Sequence, residues 1–147
     1  MASVFVRLLQ AHQWVYERSD GRLGHRVLLG NPTLLLRTVG RKTGEPRVAA
    51  LTYGRDGDDF LVTASNGGAD RAPGWLANVQ ARPECAIQVG REKIEVTAVP
   101  TYPGDPDYLR RWTIVDGVNQ GRYTDYQKLT ARPLAVVVLT PARGKRA

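Results

Sequence analysis

Hydrophobic positions change period along this chain, and the changes outline its elements. In residues 4–16, Val4, Phe5, Leu8, Leu9, His12, Val15 and Tyr16 recur at helical intervals while Arg7, Gln10, Gln13 and Glu17 turn away, which predicts an amphipathic helix. From residue 26 the period shortens. Val27-Leu28-Leu29 and Leu34-Leu35-Leu36 read as two buried strands around the turn Gly30-Asn31-Pro32-Thr33. Residues 47–53 and 59–64 read as a second strand pair, with Asp56-Gly57 as a hairpin turn of primed type. Asp70 and Pro73 mark a helix start and Arg82-Pro83 its stop, since proline is tolerated in the first turn and an acid suits its positive end. A further hairpin alternates over 86–89 and 94–99 around Gly90-Arg91-Glu92. Residues 105–115 and 123–131 are predicted helical, the first from the stripe Tyr108, Leu109, Trp112, Val115, and the run 134–139 is apolar throughout, as in a strand buried on both faces. About seven strands and four helices result. Hairpins in series with helices between them predict an α+β domain whose mostly antiparallel sheet curls into a small barrel with peripheral helices.

Composition narrows the classes. A chain of 147 residues suits one domain, and its 42% hydrophobic and 24% charged fractions are those of a globular protein rather than a disordered one. The single cysteine, Cys85, excludes an internal disulfide, and with only His12 and His25 beside it no four-ligand Cys/His metal cluster can form, so no metal is expected and a reducing, cytoplasmic setting is. No apolar run reaches the ~18 residues of a membrane span, and no signal-peptide pattern opens the chain. The net charge of +7 favours anionic partners: nucleic acid, anionic lipid or a polyanionic cofactor. There is no internal repeat, and the only tail is the basic Arg143, Lys145, Arg146.

Sharp catalytic motifs are absent: no dinucleotide or P-loop glycine signature, no zinc-protease helix, no nucleophile elbow. Two distant histidines make a Ser-His or Cys-His nucleophile system improbable, so an enzyme of this sequence would borrow its reactive centre from a bound cofactor. Three segments could hold one. In Gly40-Arg41-Lys42-Thr43-Gly44-Glu45-Pro46-Arg47, three cations share a tight loop between strands; Arg41 and Arg47 can fork onto phosphate or carboxylate oxygens and Lys42 adds a point charge. A solvated basic hairpin tip is the plain structural alternative. In Ala64-Ser65-Asn66-Gly67-Gly68-Ala69-Asp70-Arg71, paired glycines at a strand-to-helix junction free backbone amides, or merely connect two elements. Trp75 in the following helix is a core residue or a wall against a flat heterocycle. In Tyr123-Thr124-Asp125-Tyr126, two tyrosines three apart share a helix face, as half-buried core or as hydroxyls that orient or protonate a substrate oxygen. The N-terminal stripe packs on the barrel or, through Arg7, Arg18, Arg22 and Arg26, contacts anionic lipid as a peripheral membrane anchor.

Taken in order, Gly40 to Arg47, Ala64 to Arg71, Trp75 with Asn78, Ala81-Arg82-Pro83 and Tyr123-Thr124-Asp125-Tyr126-Gln127 resemble the deazaflavin-dependent nitroreductase family of actinobacteria, over about residues 26–141. The resemblance implies a split β-barrel related to FMN-binding reductases. It also implies reduced coenzyme F420, a 5-deazaflavin, as hydride donor to a quinone, a nitro compound or an activated alkene. It divides the chain into a helical lead-in (1–25), a deazaflavin-binding split barrel (26–141) and a basic tail (142–147). Carried over by position, Gly40, Arg41, Lys42, Thr43, Pro46 and Arg47 would hold the cofactor's phosphate and oligoglutamate tail. Ser65, Asn66, Gly67 and Gly68 would lie beside the ring, with Trp75 near ring or tail, and Tyr123 and Tyr126 would line the substrate side. Catalytic roles fall to Tyr123, Tyr126 and Ser65, and substrate contacts to Thr52, Gln120, Tyr123 and Tyr126. Asn66, Thr52, Gly74 and Gln120 depart from residues other members carry, implying a looser tail grip and a wider or more polar substrate pocket.

Two rivals are retained: a non-catalytic module holding FMN, haem or a fatty acid on the same barrel, and a basic nucleic-acid binder. The second lacks any recognisable nucleic-acid motif or basic helix face, so no nucleic-acid partner is expected. The sequence leaves the oligomeric state open.

Overall fold

The computed structural model describes residues 31–142. The helix predicted over 4–16, the strand at 27–29 and the basic tail lie outside the described residues.

Among the described residues seven strands form a single sheet: β1 (Thr33–Val39), β2 (Pro46–Thr52), β3 (Gly54–Asp56), β4 (Asp59–Thr63), β5 (Glu84–Val89), β6 (Glu92–Thr101) and β7 (Val136–Pro141). Their spatial order is β2-β1-β5-β6-β7-β4-β3, with every neighbouring pair antiparallel. The sheet curls, so that β2 and β4, which lie near its opposite ends, come into contact. Three helices accompany it: α1 (Gly74–Ala81), α2 (Tyr108–Val118) and α3 (Arg122–Gln127). This is the predicted α+β split barrel.

Alternation along the strands sorts side chains into two cores. Leu34, Leu36, Phe60, Val62, Ile87, Ile94, Val96, Val137 and Leu139 pack inside the curl with Trp75, Leu76 and Val79 of α1. Leu61, Val136 and Val138 face the other way and meet Tyr108 and Val115 of α2 and Tyr123 of α3. Because β7 is covered on both faces, residues 134–139 are all buried, which is why that segment lacks alternation.

Four expectations need correction. Residues 47–53 do not pair with 59–64: β2 pairs in full with β1, from Thr33 opposite Thr52 to Val39 opposite Pro46. The strand is interrupted at Tyr53, and the short β3 beyond it forms the hairpin with β4, Asp56 opposite Asp59. The turn survives this change, with Gly57 at φ +61° as the first central residue, the backbone a primed turn requires there. Leu109 does not belong to the buried stripe of α2, being 78% exposed while Tyr108 and Val115 are buried. The first helix begins at Gly74 with Pro73 as its cap and no acid in its first turn, so Asp70 lies in the approach to it. The last predicted helix ends at Gln127, short of residue 131.

Candidate functional site

The basic loop joins β1 to β2 and is closed by its own backbone: the Gly40 amide donates to the Glu45 carbonyl and the Gly44 amide to the Gly40 carbonyl, both at 2.8 Å. A third tie comes from α1. The Arg41 amide donates to Oδ1 of buried Asn78 at 3.1 Å, and Asn78 Nδ2 donates to the Thr38 hydroxyl at 3.3 Å. The loop is therefore held to both the sheet and the helix at its root. The side chains of Arg41, Lys42, Thr43 and Arg47 stay exposed. They border a groove of about 370 Å³ whose other walls are Gly40, Thr38, Val48, Ala49, Gly74, Trp75 and Asn78. Arg47 meets Glu45 at 3.3 Å, both side chains at least half exposed, a pairing weak enough for a better anion to displace. Pro46 opens β2 beside the groove without lining it.

The second segment forms a single 3₁₀ turn, Asn66–Gly68, directly after β4. It rests on α3: a Cβ on Gly68 would lie 2.7 Å from the Tyr126 carbonyl oxygen. Ser65 and Gly67 are half-buried and Asn66 is exposed, its Nδ2 donating to the Arg71 carbonyl at 2.9 Å. None of Ser65, Asn66, Gly67 or Gly68 lines the basic groove. The structure thus brings Gly40, Arg41, Lys42, Thr43, Arg47 and Trp75 together, and separately brings the glycine turn to Tyr126.

The two tyrosines differ in accessibility. Their rings meet edge to face with centroids 6.2 Å apart, confirming the shared helix face. Tyr123 is 6% exposed, within the second core against Trp112. Burial pushes its phenol pKa far up, an effect that the nearby Thr63 hydroxyl only partly offsets, although Thr63 Oγ1 closes no bond of standard geometry. Tyr126 is half-buried; burial raises its pKa too, opposed by the charge of Arg122 and reinforced by Asp125. Both phenols are therefore protonated at neutral pH. Thr52 is buried at the end of β2, and Gln120, exposed and left-handed at φ +61°, donates from Nε2 to Asn31 Oδ1 at 3.3 Å. Neither lines the groove. Cys85 offers no nucleophile, because burial first and Glu84 second push its thiol pKa up to about 11.

A sequence profile described as F420H(2)-dependent quinone reductase matches residues 8–141. The chain belongs to this family. Relatives from Mycobacterium tuberculosis strains H37Rv and CDC 1551, both named F420H(2)-dependent quinone reductase, are 51% identical over 137 residues, 93% of this chain and 92% of theirs. A solved structure of an F420-H2 dependent reductase superposes with a TM-score of 0.66 at 27% identity, over 74% of this chain and 93% of that one. The heme storage protein HutZ from Vibrio cholerae, at TM-score 0.55 and 17% identity over 76% of this chain and 82% of its own, shares the fold alone. The expectations of an oxidoreductase, of F420 as cofactor and of the split barrel hold for this quinone reductase family, while the nitroreductase label is the looser one.

The groove's chemistry suits such a cofactor. Three cations from one loop stand at a mouth otherwise walled by hydroxyl, carboxamide, aliphatic and indole groups. Gly74 lines that mouth in open space, with nothing within 4 Å of where a Cβ would be. Sequence reasoning missed Thr38, Val48 and Ala49 as groove walls, because they look like ordinary strand residues. It named Asn78 without its role, since a side-chain bond to a backbone amide 37 positions away has no sequence signature.

Proposed function

We propose that the groove beneath residues 40–47 holds the anionic tail of reduced F420, and that the 65–68 turn and Tyr126 flank its ring and the acceptor. The chain would thereby act as a quinone reductase. The observation that carries this reading is the convergence of Arg41, Lys42 and Arg47 on one groove with Trp75 in its wall. When bound, reduced F420 supplies the hydride. The protein's part is to bind, orient and protonate. Arg41 and Arg47 offer planar forks to phosphate or carboxylate oxygens, and Asn78 keeps the loop from moving away from α1. A quinone oxygen becomes more negative as hydride arrives, and the protonated Tyr126 phenol can donate to it. Tyr123, enclosed by core side chains, serves in this reading as the wall that fixes the Tyr126 ring, so the direct substrate role passes to Tyr126, with Ser65 as a second hydroxyl beside the ring. Nitro compounds develop the same charge on oxygen and extend the acceptor class. Among the described residues no helix is long and apolar enough to cross a membrane. Contact with a quinone-bearing membrane would fall to the N-terminal stripe.

The test is titration with F420 and with FMN, followed by oxidation of reduced F420 by menadione and by a nitroimidazole. Tight F420 binding with menadione turnover is expected. Retention of FMN or haem with no oxidation of reduced F420 would instead establish the binding-module reading. In the same assay Tyr126→Phe should lower kcat by about 10²-fold with F420 affinity within threefold, whereas full turnover removes the donor role. Asn78→Leu leaves the Arg41 amide and the Thr38 hydroxyl without this partner. Loss of a bond of about 1 kcal/mol predicts an F420 Kd raised about fivefold. A fluorescence titration identical to wild type would dissociate Asn78 from loop placement.

A further inference from the structure

Arg132 lies in the loop between α3 and β7, outside the basic groove and outside any site assigned above. Its half-buried guanidinium spans the whole turn that follows β4. Nη1 donates to the Ala64 carbonyl at 3.1 Å, Nη2 to the Ser65 carbonyl at 2.8 Å and Nε to the Ala69 carbonyl at 2.9 Å. Three carbonyl oxygens brought together at one turn repel one another, and a charged group with several donors offsets that repulsion while satisfying all three.

Arg132 is itself held. Gln127, the last residue of α3, donates from Nε2 to the Arg132 carbonyl at 2.8 Å and to the Thr130 carbonyl at 3.3 Å, and its Oε1 accepts from the Leu134 amide at 3.0 Å. Desolvation lowers the Arg132 pKa, against the opposing charge of Asp70, as expected for a cation seated among carbonyls rather than in solvent. The helix carrying Tyr126, the loop carrying Arg132 and the glycine turn therefore form one braced unit.

We infer that Arg132 is a positioning residue for hydride transfer: by bridging the carbonyls of Ala64, Ser65 and Ala69 it sets the geometry in which the 65–68 turn meets the deazaflavin ring and Tyr126. This rests on the proposed placement of the ring beside that turn. Lysine cannot replace it, because an ammonium is a point charge without the planar five-donor fork that reaches three acceptors at once.

The experiment compares wild type with Arg132→Lys, with Arg132→Gln as a second variant should the first not fold. Amide hydrogen exchange of the unliganded protein is read in peptides covering 64–69, alongside F420 affinity and single-turnover oxidation of reduced F420 by menadione. Faster exchange in 64–69, F420 affinity within about threefold and hydride transfer slowed about tenfold or more are expected, since small misplacements of reacting groups cost that much. Unchanged exchange in the turn overturns the brace. Faster exchange with hydride transfer at the wild-type rate overturns the positioning role, and with it the placement of the ring against this turn. Failure of the wild type to oxidise reduced F420 would instead sink the functional reading, leaving the brace to be judged by exchange alone.

Discussion

Replacing Arg41 and Lys42 together with alanine is expected to weaken F420 binding by about 10²-fold or more while leaving the melting temperature within a degree or two of wild type. Hydrogen bonds to charged groups contribute about 1.5–3 kcal/mol each, so two of them correspond to about 10²- to 10⁴-fold. The lower end applies here because both side chains are exposed and screened by salt. Stability should hold because neither side chain is part of the core; the tie from the Arg41 amide to Asn78 uses backbone and persists in alanine. The measurement is a fluorescence titration at two ionic strengths. The wild-type Kd should rise with salt, and the double variant should show a shallower slope. Equal affinity for wild type and variant would separate the basic loop from the cofactor and return it to the status of a solvated hairpin tip.

Gly68→Ala should damage both fold and activity. Gly68 has φ +84°, a left-handed backbone that costs an L-residue about 1–2 kcal/mol. Its new Cβ would stand 2.7 Å from the Tyr126 carbonyl oxygen and 3.0 Å from the Tyr126 Cα. Both are backbone atoms, so relief requires α3 to retreat from the turn, and overpacking of this kind costs about 1–3 kcal/mol more. A total of about 2–5 kcal/mol should lower the melting temperature by several degrees. Moving α3 also displaces Tyr126, so kcat should fall further than the Tyr126→Phe change alone produces. Gly117→Ala is the control, since its Cβ would meet nothing within 4 Å inside α2 and alanine is the better helix former. Gly68→Ala melting like wild type would mean that the packing of the turn on α3 is loose.

Much of the fold was legible because each strand carries its own burial record. The alternation over 94–99, the glycine turns at Gly57 and Gly90 and the doubly buried run ending in Leu139 each reflect local backbone geometry and the faces available to it. The clustering of charge in residues 40–47 was equally local, because three cations on a short closed loop must lie near one another wherever the loop goes. Strand pairing was not local. Period-2 patterning states which face is buried but not which neighbour covers the edge, so it does not distinguish β4 from β1 as the partner of β2; the interruption at Tyr53 separates β2 from β3 and leaves β1 to pair with it.

By itself, then, the sequence determined the element types, the curled antiparallel architecture and the presence of a short cation-rich loop, since these follow from spacing, turn residues and charge within short windows. Only the tertiary structure decided that Tyr123 is enclosed while Tyr126 is half-exposed, that Asn78 anchors Arg41, that Gly68 has no room for a side chain, and that Arg132 gathers three carbonyls. Each of these joins segments far apart in the chain. Which of two similar side chains meets solvent, or which carbonyl a guanidinium reaches, is set by the packing of those segments and leaves no periodic trace in either of them.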